Sequence, residues 1–160
     1  WSIGTSGNTD FNLGDTWTID CWVRSPSITN AKMSLGSKHY NDGNSWVWGI
    51  DGNDVEVYYR TGYGGYTQVM TGAHGMSNNA WYHLAIVRIS NASWKIYVNG
   101  VEKATSTTDV DFANSNSSTF IVARTDNEWG GAGAENYYGY IDEFRVSKGI
   151  ARWTSNFTVY

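Results

Sequence analysis

Apolar and polar residues alternate with a period of two through most of this chain, a pattern that suits β-strands. In Thr16–Arg24 (TWTIDCWVR), Trp17, Ile19, Cys21 and Val23 face one way, and Thr18, Asp20, Trp22 and Arg24 the other. Ser45–Ile50 places Trp46, Trp48 and Ile50 on one side. Asp54–Arg60 places Val55, Val57 and Tyr59 inward and Glu56, Tyr58 and Arg60 outward. Trp81–Ser90 is nearly apolar throughout, as expected of a central strand. The sharpest local signal follows: Trp94, Ile96 and Val98 alternate into Asn99-Gly100, then Val101 and Lys103. Asn and Gly both tolerate positive φ, so this pair predicts a type I′ hairpin turn. Further strands are predicted over Ala31–Leu35, Thr67–Met70, Phe120–Arg124 and Tyr138–Val146.

No stretch carries a 3.6-residue period, and turn clusters (NDGN, DGND, GYGG, GMSNN, ANSNSS, WGGAGAEN) separate the strands. Many short strands with Gly/Asn punctuation predict an all-β antiparallel sandwich. At 160 residues, the chain suits one domain spanning 1–160, large enough to bury a core without metal or disulfide. Nine Trp, eleven Tyr and five Phe could not stay solvated in a disordered chain. A net charge of −4 with no Lys/Arg-rich stretch argues against nucleic acid as partner. No apolar run reaches the roughly 20 residues of a membrane-spanning helix. Cys21 is the single cysteine and falls on an inward position, where a free thiol packs as a small hydrophobe. Both chain ends read as cut from a longer protein.

The order TIDCWVR, WYHLAIVR, WKIYVNGVEKAT and YYGYIDEFRVSKGIARWTSNFT resembles the laminin G-like branch of the concanavalin A-like lectin/glucanase superfamily. Within that branch it is most similar to modules of phage tail and virion proteins and of bacterial surface proteins. The resemblance spans essentially the whole chain and is most specific over Trp81–Gly100 and Gly139–Thr158. It implies a jelly-roll of two antiparallel sheets at an extracellular or virion surface. Trp1-Ser2-Ile3 resembles the tail of a further strand. Such a scaffold hosts enzymes, lectins and inert spacers alike, so function must be read from side chains.

Catalysis of glycoside hydrolysis needs two carboxylates on one bond, about 5–5.5 Å apart for retention or 6.5–9.5 Å for inversion. The family's Glu-x-Asp-x-x-Glu run is missing. Asp54 and Glu56 share a face, but they follow a DGN turn where solvated charges are ordinary. Asp142 and Glu143 are adjacent and point to opposite faces of a regular strand. His39 and His74 are expected in loops, and His83 alternates with Ala85, Val87 and Ile89, as a packed or hydrogen-bonded strand histidine would. The chain therefore reads as a non-enzyme.

Ca²⁺ takes six to eight oxygens, often from Asp, Asn and carbonyls in turns. Asn41–Asn44, Asp51–Asp54 and Asp126–Glu128 offer such atoms, although Asx residues also simply form turns. The resemblance implies a Ca²⁺ at the sandwich rim in many relatives; Asp42, Asn44 and Asp126 are the expected ligands here. Asp142 alternates with Tyr140, Phe144 and Val146 and is expected to face the core, unless a bulge re-aims it.

Sugars are held by aromatic faces and by amide or carboxylate groups that satisfy hydroxyls. Loops rich in Tyr, Trp, Asn and Gly supply that toolkit. The expected carbohydrate-binding residues are Trp129, Tyr63, Tyr66, Tyr40 and Asn127. Trp46, Trp48, Trp81 and Trp94 are expected in the core. Outward Asp20, Trp22 and Arg24 could serve a ligand or subunit packing. The sequence thus predicts a non-catalytic glycan-binding module, Ca²⁺-dependent, partnered by a glycosylated surface and by neighbouring domains of its parent. The alternative is a decoration or spacer domain of a fibre, touching protein only. Asn91, Asn116 and Asn156 match the glycosylation sequon, which matters only in a eukaryotic secretory context.

Overall fold

The computed structural model describes residues 2–3, 10–29, 32–39, 45–60, 65–110, 112, 119–125 and 135–160. Eleven strands and no helix occur among them: β1 (Ser2–Ile3), β2 (Trp17–Arg24), β3 (Met33–His39), β4 (Ser45–Asp51), β5 (Asp54–Arg60), β6 (Thr67–Ala73), β7 (Tyr82–Ser90), β8 (Ser93–Val98), β9 (Val101–Ser106), β10 (Thr119–Val122) and β11 (Tyr140–Lys148). They form a six-stranded sheet in the order β1-β10-β3-β4-β5-β6 and a five-stranded sheet in the order β11-β2-β7-β8-β9. Every neighbouring pair is antiparallel. The all-β antiparallel two-sheet jelly-roll predicted from the alternation is the fold observed.

The inward sets close on one another between the sheets. Trp17, Ile19, Cys21 and Val23 of β2 meet Trp46, Trp48, Ile50, Val55 and Val57 of the opposite sheet in one buried cluster. Burial holds the Cys21 thiol pKa well above its usual range, so it stays an unreactive thiol. Phe112 sits among three indoles, with centroids 5.6 Å from Trp17, 5.3 Å from Trp46 and 5.0 Å from Trp94. Two buried cations close the same layer. Lys38 donates to Asn12 Oδ1 at 2.6 Å, and Arg88 donates to the Gly14 carbonyl at 2.8 Å while lying 5.1 Å over the Trp94 ring. Both find partners in residues 12–14, as buried charges must.

The Asn99-Gly100 turn has φ of 48° and 75°, both positive as type I′ requires. A β-carbon on Gly100 would stand 1.9 Å from the Phe157 carbonyl oxygen. The hairpin glycine therefore also admits the C-terminal segment. That segment straps across the outer face of the five-stranded sheet. Thr18 Oγ1 donates to the Ile150 carbonyl and accepts the Arg152 amide. The Phe157 amide donates to the Gly100 carbonyl at 2.9 Å. Trp153 and Phe157 stack at 3.9 Å on each other and edge-on to His83. With Ala151 they cover Ala85, Val87 and Tyr97 in a second apolar cluster.

Three expectations are corrected. Asp20 does not line an open surface: it is 2% exposed beneath the strap, bonded to Arg145 and within 3.1 Å of His83 Nε2. Trp22 is half-buried with its ring against His83. Asp142 does not face the core. A bulge falls between Asp142 and Arg145, with Glu143 at φ 49°, so Asp142 stays outward opposite Trp22 while Phe144 and Val146 turn inward. Trp81 is not core either. It shares the parity of His83 and Ala85 and is 43% exposed. Trp46, Trp48 and Trp94 are buried as predicted.

Candidate functional site

The outer face of the six-stranded sheet is buried over Ser34, Ser37, Val47 and Gly49 and opens toward β5 and β6. Glu56 sits at that boundary. Alternation on β5 sends Val55 and Val57 into the core and Glu56, Tyr58 and Arg60 outward. Gln68 of β6 lies opposite Tyr58. Its amide donates to Glu56 Oε1 at 3.2 Å and to the Tyr58 hydroxyl at 2.9 Å. Glu56 is 8% exposed, and its Oε2 is buried with no hydrogen-bond partner. Ser34, in the same cross-strand row beyond Gly49, likewise holds a buried hydroxyl without a partner.

Burial, then the Asp51 carboxylate, holds the Glu56 carboxyl pKa above its ordinary range. Burial, followed by the charge of Glu56 and a hydrogen bond to it, pushes the Tyr58 hydroxyl up to about 12, so it stays a neutral donor to the Glu56 carboxyl. Lys32 lies 5.8 Å over the Tyr58 ring and pairs with Asp51 at 3.0 Å.

At the end of the same face, Arg60 lies 5.2 Å over the ring of Tyr66. The Tyr66 hydroxyl bonds to Ser45, the register partner of Arg60; burial raises its pKa against the opposing pull of Arg60 and Ser45. Of the residues expected to bind carbohydrate, Tyr66 alone falls among the described residues. It is half-buried and joins the Arg60 end of this face. Tyr40, Tyr63, Asn127 and Trp129 lie outside them, as do the expected Ca²⁺ ligands Asp42, Asn44 and Asp126. Ser45 and Arg60, the described residues that border positions 40–44 and 61–64, pair at one sheet end. The third segment is flanked by Arg124, whose carbonyl accepts from Ser37 Oγ on the outer face, and by Glu135, whose carbonyl accepts the Ser34 amide.

Among the described residues no three His, Cys, Asp or Glu side chains converge to hold a metal. His74 is occupied structurally. Its Nδ1 accepts the Met76 amide at 2.7 Å and its Nε2 reaches the Gly52 carbonyl at 3.1 Å; burial lowers its pKa and keeps it neutral. Sequence reading placed Glu56 on the outer face but did not anticipate its burial. Nothing in the local sequence marks which part of a sheet face is covered.

Two antiparallel sheets packed face to face in this order define a jelly-roll sandwich. The chain belongs to the concanavalin A-like lectin/glucanases superfamily, whose laminin G-type sequence profile matches residues 3–152. Solved structures of the same fold include mouse laminin α1 domains LG4-5, with TM-score 0.65 and 13% identity over 92% of this chain and 39% of that one. Domain 4 of the extracellular arabinanase AbnA from Geobacillus stearothermophilus, in complex with arabinotriose, aligns with TM-score 0.58 and 22% identity, covering 92% of this chain and 63% of that one. The CBM40 of the Ruminococcus gnavus IT-sialidase aligns with TM-score 0.65 and 16% identity over 93% and 90%. The chain thus spans less than two thirds of the laminin and arabinanase chains it matches. No curated protein sequence matches it.

Proposed function

We propose that this chain is a non-catalytic carbohydrate-binding module that works outside the cell, using the outer face of the six-stranded sheet. One observation carries the reading: the Glu56 carboxyl, bonded by Gln68 and Tyr58, keeps its Oε2 without a hydrogen-bond partner of its own at the edge of a face that opens toward β6. Leaving such an acceptor unsatisfied costs free energy. A sugar supplies hydroxyl donors of the right kind, and Tyr58 and Tyr66 supply half-buried rings for its C–H faces. Relatives of the same fold support the class, since AbnA domain 4 was solved with arabinotriose and the CBM40 with α2,3-sialyllactose. Placement in a phage or bacterial surface protein, with neighbouring domains as partners, extends this proposal. A Ca²⁺ requirement rests only on the oxygen donors of Asp42, Asn44 and Asp126.

The spacer reading predicts a broad outward apolar sheet for a neighbour to cover. Here the chain's own Ala151, Trp153 and Phe157 cover much of that face.

A glycan array probed with the folded module in Ca²⁺ tests the proposal. Binding to a related set of glycans is expected, weakened about tenfold by Glu56→Gln through loss of a charge-assisted acceptor, and weakened by Tyr66→Ala. Trp129→Ala, Tyr63→Ala, Tyr40→Ala and Asn127→Ala extend the map to the neighbouring segments. A blank array from folded protein overturns the proposal and favours the spacer. Binding unchanged by chelation removes the Ca²⁺ requirement.

A further inference from the structure

The strap leaves the Tyr140–Arg24 end of the five-stranded sheet uncovered. Tyr140 pairs with Arg24, and Val23 pairs with Tyr82. Arg24 is therefore flanked by Tyr140 on one side and by Trp81, just before β7, on the other. Both rings are open, Trp81 at 43% and Tyr140 at 64% exposure. Their centroids lie 6.5 Å apart with planes inclined at 51°. The Arg24 guanidinium lies 5.8 Å over the Tyr140 ring.

The row is held from beneath. Arg24 Nε donates to the Asn79 carbonyl at 3.0 Å, and the Asn79 amide donates to the Ser25 carbonyl at 2.7 Å. Asn78 Oδ1 accepts the Ile28 amide at 2.8 Å, tying the same loop to the chain after β2. Gly139, at φ 151°, lets β11 begin here; a β-carbon would stand 2.2 Å from the Arg24 carbonyl oxygen. Two exposed rings and the half-buried Arg24 are thus set on fixed backbone, which lowers the ordering cost of binding.

We infer that Arg24, Trp81 and Tyr140 form a second saccharide site, selective for sugars that carry a carboxylate. Two inclined rings offer one sugar a stacking face and a wall. The Arg24 guanidinium over the Tyr140 ring, with its Nε held by Asn79 and no carboxylate partner among the described residues, leaves its two Nη groups as a two-point donor for an acid. Asp142 in the next row offers acceptors for hydroxyls, one oxygen being engaged by the Glu143 amide. Three side chains match the footprint of one sugar ring. A stable protein interface needs about 800 Å² per partner. This site lies on the sheet opposite Glu56 and does not depend on that face.

The test is a titration of ¹⁵N-indole-labelled protein, with the Trp81 signal assigned by Trp81→Phe. The probes are N-acetylneuraminic acid, glucuronic acid and neutral glucose at millimolar concentration. A saturable Trp81 shift with at least one acid and little with glucose is expected. Arg24→Gln weakens it about tenfold, while Glu56→Gln leaves it unchanged. No Trp81 shift with either acid, equal shifts with glucose, or indifference to Arg24→Gln overturns the inference. A signal that follows protein concentration instead of sugar also overturns it, in favour of contact between copies. Array binding lost in Glu56→Gln with a silent Trp81 sinks this site and leaves the other standing.

Discussion

The Asp20 carboxylate and the Arg145 guanidinium meet at two points, Nε to Oδ1 at 3.1 Å and Nη2 to Oδ2 at 2.7 Å. The two partners differ in solvation: the Asp20 side chain is 3% exposed and the Arg145 side chain 45%. The hydrogen bond to Asp20 raises the Arg145 pKa and keeps its charge fixed. Removing one partner therefore has unequal effects. Asp20→Asn leaves a cation that water can solvate, while Arg145→Gln strands a buried carboxylate beside His83. We expect Arg145→Gln to cost about 3 kcal/mol and Asp20→Asn about 1 kcal/mol, measured by urea unfolding. The reverse order would show that the pair is not what holds this region.

Phe112 is the shared neighbour of Trp17, Trp46 and Trp94. Three large indoles cannot easily collapse into the space of a deleted ring. Phe112→Ala is expected to cost about 4 kcal/mol, and Phe112→Leu distinctly less, by thermal or denaturant unfolding.

Gly100→Ala is expected to cost about 2 kcal/mol or more, because the added methyl meets the Phe157 carbonyl. The damage should be local to the strap. Hydrogen exchange should quicken at the Phe157 amide while β2 and β7 keep their protection. Uniform loss of protection would contradict that localisation.

Glu56 holds its proton more tightly folded than unfolded, first because of burial and then because of Asp51. Its contribution to stability is therefore fully present below the ordinary value of 4.5 and is lost as pH rises through the raised folded value. Glu56→Gln carries no such proton. The variant's unfolding temperature should gain on that of the original chain as pH rises through this window. Parallel curves would show that Glu56 is not the group responsible.

The strands and the type I′ hairpin were legible because each rests on a local rule, alternation for β2 and β5 and paired positive φ for Asn99-Gly100. The face of Asp142 is not legible, because one extra residue reverses the parity beyond it and Glu143 carries none of glycine's warning of positive φ. Trp81 is legible from parity alone. Its step of two from His83 marks it as outward, although its size argues for the core. The strap had no periodicity to read. Its Trp153 and Phe157 act through position against His83 and Tyr97, which only the assembled sheet supplies. Glu56 was placed on its face correctly, but its burial depends on residues remote in the chain.

The strap also sets an order of events during synthesis. The β8–β9 hairpin closes on local contacts and can form once residue 106 has left the ribosome. Its outward Tyr97, with Ala85 and Val87 of β7, then remains wet until residues 151–157 follow. Until then the nascent chain carries an uncovered apolar sheet face, the kind of surface that chaperones hold. The interval between the emergence of Ser106 and that of Phe157 is therefore the interval in which this face has no cover from its own chain.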